Sequence, residues 1–481
     1  MNRLKMNVLY NVVYQVLILI VPFITTPYVS RILLSEGLGT YSITTSIAKY
    51  FWMFALLGMT NYGNRTISKA RDDRKTLSYT FWNLFYFQAL TSAVMTVLYI
   101  AYLGAYGMPK YNIVALCQIP YVLSALFEVS WFFYGTEQFR FMVLRNTAIK
   151  ILTTVAIFIF VKDQGDVWVY ALINAFSLLM GQVCLWPFLL KQVDWVKPDW
   201  KTVFSHFKPN LVLFVSVVAV SIYTLMDKIM IELLSTRSEV GYYENTEKMM
   251  TMANGIVGAI GSVMLPRISY LMGRNDGQSV KNYLAKSMRY IMMLAIGISF
   301  GLAGIANEFS VVFFGEDFTA CGSMIMVISL AVLFYSWENI LRTQYLLPGN
   351  RDGIFVRGTV YAAVTNVILN GIFIPKLGAL GAVIGTVGAQ IAAAGYQSIS
   401  VRRELPFLSY IKGLLPTILI GVLMFTYCRA IGNRMGSHVY TIGIQVIGGA
   451  AIFCLLNLIY MLLAKDTLVN DILKKIRRKR S

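Results

Sequence analysis

Apolar runs recur from one end of the chain to the other, separated by short polar gaps. Examples are "NVVYQVLILIVPFITTPYV", "LVLFVSVVAVSIYTLM" and "GIQVIGGAAIFCLLNLIYMLLA". Each approaches the roughly 20 residues that carry a helix across a bilayer. The pattern divides into about fourteen such segments. The predicted spans are 7–33, 37–60, 77–102, 111–134, 143–161, 168–190, 210–234, 240–265, 288–312, 322–346, 354–374, 379–400, 408–430 and 439–464. The fold class is therefore an all-α polytopic membrane protein.

Composition agrees: of 481 residues 57% are hydrophobic and 14% charged, where a soluble chain carries about a quarter charged. The formal net charge of +19 would suit nucleic acid, but the charges sit between apolar runs, so no nucleic-acid partner is expected. Their placement reports topology instead. One alternate set of gaps holds Arg3 and Lys5, Arg65 to Lys75, Arg140, Lys191 to Lys208, Arg267 to Lys286, Arg351, Arg402 and Arg403, and the tail Lys465 to Arg480. The other holds little beyond Lys110, Lys162, Arg237, Lys376 and Arg434. By the positive-inside rule the first set, with both termini, is cytoplasmic. The opening "MNRLK" lacks a small-x-small cleavage site downstream and reads as the start of an uncleaved first helix. The basic gap 266–289 is expected to lie along the interface. The basic tail serves either anionic headgroups or topology alone.

The five cysteines are dispersed in or beside apolar segments without disulfide or zinc spacing, and His206 and His438 fall in separate predicted loops as solvated side chains. No metal or cofactor is expected, and no catalytic residue.

Two stretches echo each other. "RILLSEGLGTYSITTSIAKYFW" (31–52) and "DKIMIELLSTRSEVGYYENTEKMM" (227–250) both run from a basic residue through Leu-Leu-Ser, Glu, Gly and Tyr into an apolar segment with a lysine. Aligning Gly39 with Gly241 pairs Leu38 with Val240 and Tyr41 with Tyr243. The turns lie six predicted helices apart, which preserves orientation. A parallel repeat is a common transporter plan with the substrate at the interface of the halves. This gives an N-terminal lobe at 1–190, a linker at 191–209, a C-terminal lobe at 210–400, two further helices at 401–464 and a tail at 465–481. The glycine-rich "PKLGALGAVIGTVG" (375–388) allows close helix packing.

Ionisable residues inside spans are costly unless paired or facing a wet cavity, and so are functional candidates. Tyr41, Thr45, Ala48, Lys49 and Trp52 share one helical face. Glu244, Glu247, Lys248, Thr251, Gly255, Gly258 and Ser262 form a second stripe, and Asp227, Lys228, Glu128, Glu338, Arg342 and Lys150 lie in other spans. A chamber lined by Lys49, Lys248 and Lys228 would attract phosphate or pyrophosphate, lysine acting as a point charge. Each charge also has a structural alternative. Glu338 and Arg342, four apart, can bridge on one helix. Asp227 and Lys228 are adjacent and point to different faces, so Asp227 pairs with another helix. Arg31, at an outer helix end, either contacts substrate or snorkels to headgroups.

The segment "FEVSWFFYGTEQFRFMVLRNTAIKI" (127–151) resembles the fourth-to-fifth helix signature of Wzx-type oligosaccharide flippases, of the multidrug/oligosaccharidyl-lipid/polysaccharide superfamily. Its matching residues are Glu128 (commonly aspartate in that pattern), Trp131, Gly135, Glu137, Phe139, Arg140, Arg145, Asn146 and Lys150. "PYVSRILLSEGLGTYS" and "DKIMI…EVGYY" are similar to the family's recurring elements at the starts of the two halves. The resemblance implies a monomeric transporter of the bacterial cytoplasmic membrane moving undecaprenyl-diphosphate-linked oligosaccharide outward by alternating access. Its implied partners are that substrate, membrane lipids and a polysaccharide polymerase. Lys49, Lys248, Lys228, Arg31, Arg342 and Lys150 would contact the headgroup. Asp227, Glu128, Glu247, Glu244 and Glu338 would pair with them or couple Na⁺ or H⁺. A cation-coupled drug exporter of the same superfamily and a lipid II or teichoic-acid-type flippase stand as alternatives. A polymerase or glycosyltransferase would need a larger outer loop.

Overall fold

The computed structural model describes residues 3–105, 112–274 and 277–464. Most of the loop 103–112 and the basic tail Lys465 to Arg480 lie outside the described residues. All the regular structure described is helical, and nine of the described helices are long and apolar enough to cross a membrane.

α1 (Arg3–Leu56) covers the first two predicted spans. No loop separates them. The break is a single residue, Leu34, at φ 56° and ψ −177°, a left-handed φ that a branched side chain adopts only when its surroundings impose it. α2 (Met59–Ala70) and α3 (Arg74–Ala105) follow. The predicted fourth span, 111–134, is three short pieces instead: α4 (Asn112–Leu116), α5 (Ile119–Leu123) and α6 (Ser130–Gly135). Pro120, at the start of α5, has no N–H to give a preceding turn. At the second break the Glu128 carboxylate accepts the Ser130 amide at 2.8 Å, replacing a bond that the interrupted helix has lost.

α7 (Phe139–Phe160), α8 (Val167–Val183), α9 (Trp186–Leu189), α10 (Trp200–Ser205), α11 (Phe207–Leu234) and α12 (Arg237–Gly273) come next. Helix continues to Gly273 and restarts at Gly277, so most of the gap 266–289 is helical. α13 (Gly277–Phe309), α14 (Cys321–Leu341), α15 (Asp352–Leu377), α16 (Ala379–Ser400), α17 (Phe407–Met435) and α18 (Val439–Leu463) complete the chain. α13 and α14 each pass into a π turn, at Ser310–Phe314 and Arg342–Leu346.

Two compact units result, Met1–Glu244 and Asn245–Ser481. The first packs around aromatic side chains, among them Phe81, Phe87, Trp131, Phe132 and Phe133. Gln88 on α3 ties down the broken span: its amide donates at 2.8 Å to the carbonyls of Ala125 and Glu128, and its carbonyl accepts the Trp131 indole at 2.9 Å. The signature of residues 127–151 thus shapes this turn. Glu137, at φ 59°, reaches Arg71 at 2.7 Å. The 191–199 linker is pinned where Arg74 binds Asp194 through two hydrogen bonds of 2.7 and 2.9 Å. That contact holds the Asp194 carboxyl below the usual range. In the second unit the glycine-rich turn does pack closely: β-carbons at Gly381 and Gly385 would lie 2.4 Å from the Phe373 carbonyl oxygen and 2.0 Å from Asn370 Oδ1.

Gln88→Leu removes three buried hydrogen bonds and leaves the Trp131 indole only its 3.0 Å bond to the Glu128 carbonyl. It is expected to cost about 1–3 kcal/mol, read as a lower unfolding temperature in detergent. An unchanged temperature would show the broken span to be held by packing alone.

Candidate functional site

The echoed turns meet. A β-carbon at Gly39 would lie 2.0 Å from the carbonyl oxygen of Arg237, and one at Gly241 would lie 2.1 Å from that of Ser35. The register that pairs Gly39 with Gly241 also pairs Ser35 with Arg237. Each glycine therefore packs on the counterpart of the residue that packs on its partner, the reciprocity of an isologous two-fold contact. The same register pairs Ser42 with Glu244, and these two touch each other: Ser42 Oγ donates to Glu244 Oε2 at 2.6 Å. A residue meeting its own counterpart marks the local axis.

Charges surround this crossing. Lys228 Nζ lies 2.6 Å from Glu244 Oε2, with the two side chains only 11% and 13% exposed. Arg237 contacts Glu232 at 3.1 Å and Glu36 at 3.9 Å. The Tyr243 hydroxyl donates to the Asp227 carboxylate, so Asp227 is answered from α12 rather than from its own helix.

The first stripe faces the interior of its unit. Tyr41 meets Tyr170 edge-on at 4.5 Å, Gln118 donates to Thr45 at 2.8 Å, and Trp52 meets Tyr121 at 6.3 Å. Lys49, on the same face, is exposed. Lys248 is half-buried, 3.5 Å from Asn245 Oδ1, and Glu247 is half-buried beside it. In the glycine register Lys248 takes the place of Ser46, and Lys49 that of Thr251. The two lysines are thus not counterparts.

The remaining candidates are scattered. Arg31 lines a cleft of about 490 Å³ with Lys162, Asp163 and Gln164. Lys150 is exposed on α7. Glu338 and Arg342 bridge on one helix at 3.7 Å, Gln397 donates to Glu338 at 2.9 Å, and Arg342 lies over Phe355. Among the described residues no group of three or more histidine, cysteine or acidic side chains is placed to hold a metal. His206 corrects its expected solvation: it is buried, with Nδ1 2.9 Å from the Tyr62 hydroxyl, and burial lowers its pKa. His438 is exposed and stacks on Tyr440.

Comparison with known proteins places this arrangement. The model of the polysaccharide biosynthesis protein family matches residues 4–272, more than half the chain. The chain belongs to that family. A protein named as an O-antigen transporter in Escherichia coli K12 is 22% identical over 76% of this chain and 89% of its own length. A protein of Haloferax volcanii named as a low-salt glycan biosynthesis flippase, Agl15, is 28% identical over 44% of this chain and 45% of its own. The fold is that of the lipid II flippase MurJ in an inward closed conformation, with TM-score 0.76 at 15% identity over 95% of this chain and 99% of that one. An inward-facing multidrug resistance transporter of the MATE family aligns with TM-score 0.58 at 14% identity over 86% of this chain and 99% of that one. This member of the family is a multi-pass transporter of the bacterial cytoplasmic membrane, a flippase of polysaccharide biosynthesis.

Sequence reasoning missed one buried charge cluster in this flippase. Glu308 on α13 accepts from Arg429 of α17 at 3.4 Å and from Gln445 of α18 at 3.1 Å. A β-carbon at Gly432 would lie 2.2 Å from Glu308 Oε1. The signal was present, since both ionisable groups fall inside apolar spans. The cluster ties the last two helices to α13.

Lys228→Met leaves Glu244 buried without its cation and is expected to cost about 3–5 kcal/mol, most of it recovered in a Lys228→Met/Glu244→Leu double variant. Thermal unfolding in detergent measures both; additive losses would show that the pair is not coupled.

Proposed function

We propose that this flippase moves undecaprenyl-diphosphate-linked oligosaccharide from the inner to the outer leaflet by alternating access, for capsule, wall or exopolysaccharide assembly. The observation that supports a diphosphate headgroup is the placement of Lys49. Lys49 is exposed in the later part of α1, on a stripe where Tyr41, Thr45 and Trp52 meet tyrosine and glutamine side chains within their unit. An ammonium in such surroundings is a strong point charge for phosphate oxygens, and the neighbouring hydroxyls and amides suit sugar. Lys228 has a different task, because Glu244 holds it at the crossing.

The basic-residue pattern puts the Gly39–Gly241 crossing on the outer side. Release to the outer leaflet then requires these turns to part. An anion leaving a negative-inside cell gains about 2.3 kcal/mol per charge for each 100 mV, which gives outward movement a direction.

The test is complementation of a flippase-deficient strain, scoring lipid-linked oligosaccharide retained in the inner leaflet against protein abundance. Lys49→Ala is expected to abolish export at normal abundance and Lys49→Arg to keep part of it. Lys248→Ala, as a separate arm, is expected to reduce export. Equal export by the two Lys49 variants would remove this residue from headgroup binding.

A further inference from the structure

A cavity of about 560 Å³ lies in the second unit, among α13, α14, α16 and α17. Its size is that of a site for a single extended ligand. Apart from Ser398 and Arg402 its walls are apolar, with Met292, Phe300, Trp337 and Phe407 among them. The Trp337 indole donates to Ser398 Oγ at 2.8 Å, so both those polar groups are satisfied within the wall. Ile391, Ile399 and Ile411 of its lining are exposed. Exposed isoleucines on a membrane helix bundle face hydrocarbon.

One end of the cavity is charged. Arg402 lines it, just beyond the end of α16, and Arg403 is exposed next in sequence. The acid of the same turn is turned to other work: Glu404 accepts from Arg351 at 2.7 Å and from the Tyr345 hydroxyl. That end therefore keeps its positive charge, and the basic-residue pattern places it at the inner leaflet.

We propose that this cavity holds an acyl chain of an anionic phospholipid of the inner leaflet, with the lipid phosphate on Arg402. An apolar wall ending in arginine is complementary to a hydrocarbon chain ending in phosphate, and guanidinium grips phosphate through paired donors. The transported lipid has similar chemistry, but the cavity is walled wholly by residues of Asn245–Ser481. None of Lys49, Lys248, Arg31 or Lys150 lines it. The site is thus separate from the candidate headgroup contacts.

The test uses the full-length protein in mild detergent, offered equal amounts of phosphatidylglycerol and phosphatidylcholine with the same acyl chains. Native mass spectrometry reads the lipid retained. Wild-type protein is expected to keep one phosphatidylglycerol in preference, and Arg402→Gln/Arg403→Gln to lower that retention about tenfold or more. Gly395 lines the cavity, and a β-carbon there would meet no atom within 4 Å. Gly395→Leu should therefore fill the cavity in a folded protein and reduce retention of both lipids. Any of three results would overturn the proposal: equal retention of the two lipids by the wild type, wild-type retention by the arginine double variant, or displacement of phosphatidylglycerol by stoichiometric undecaprenyl phosphate. The last would assign the cavity to the transported lipid's tail.

Discussion

Two backbone carbonyls seated where β-carbons would otherwise stand hold the echoed turns together. With no side chain at Gly39 or Gly241, the chains approach until carbonyl oxygens fill the spaces, at 2.0 and 2.1 Å from the notional β-carbons. Inside a bilayer this is how helices gain contact, since apolar side chains have little preference for one another over lipid. Everything nearby follows from that approach. It brings Ser42 within 2.6 Å of Glu244, which in turn receives Lys228. It sets Arg237 between Glu36 and Glu232. Leu34, one residue before the crossing, keeps its left-handed φ of 56° in these surroundings.

A low-dielectric interior sorts the ionisable residues. A buried charge persists when partners answer it, and three clusters show this: Lys228 with Glu244, Glu338 with Arg342 and Gln397, and Glu308 with Arg429 and Gln445. Each joins helices or turns. Lys49 lies outside this set, since it is an exposed residue of α1.

The apolar runs were legible because a bilayer demands long uninterrupted helices, so the spans from 143–161 onward lie close to the observed helices. The departures have local causes. The 111–134 span breaks because Pro120 withholds a donor and Glu128 supplies an alternative acceptor. The first two spans join because one residue's φ, rather than a loop, makes the turn. The gap after 265 became helix, since its polar composition marks where a helix leaves the membrane and leaves open whether it ends.

By itself the sequence determined the membrane class, the family signature and the register of the echo, all of which depend on residue order over short distances. It named Lys228, Glu338 and Arg342 as buried charges and could not say which were already answered. Only the tertiary structure decided that Ser42 meets Glu244, that His206 is buried against Tyr62, and that the arginine of 402 closes an apolar cavity. Pairing, burial and cavity shape depend on which distant segments touch, and periodicity along one helix carries no record of that.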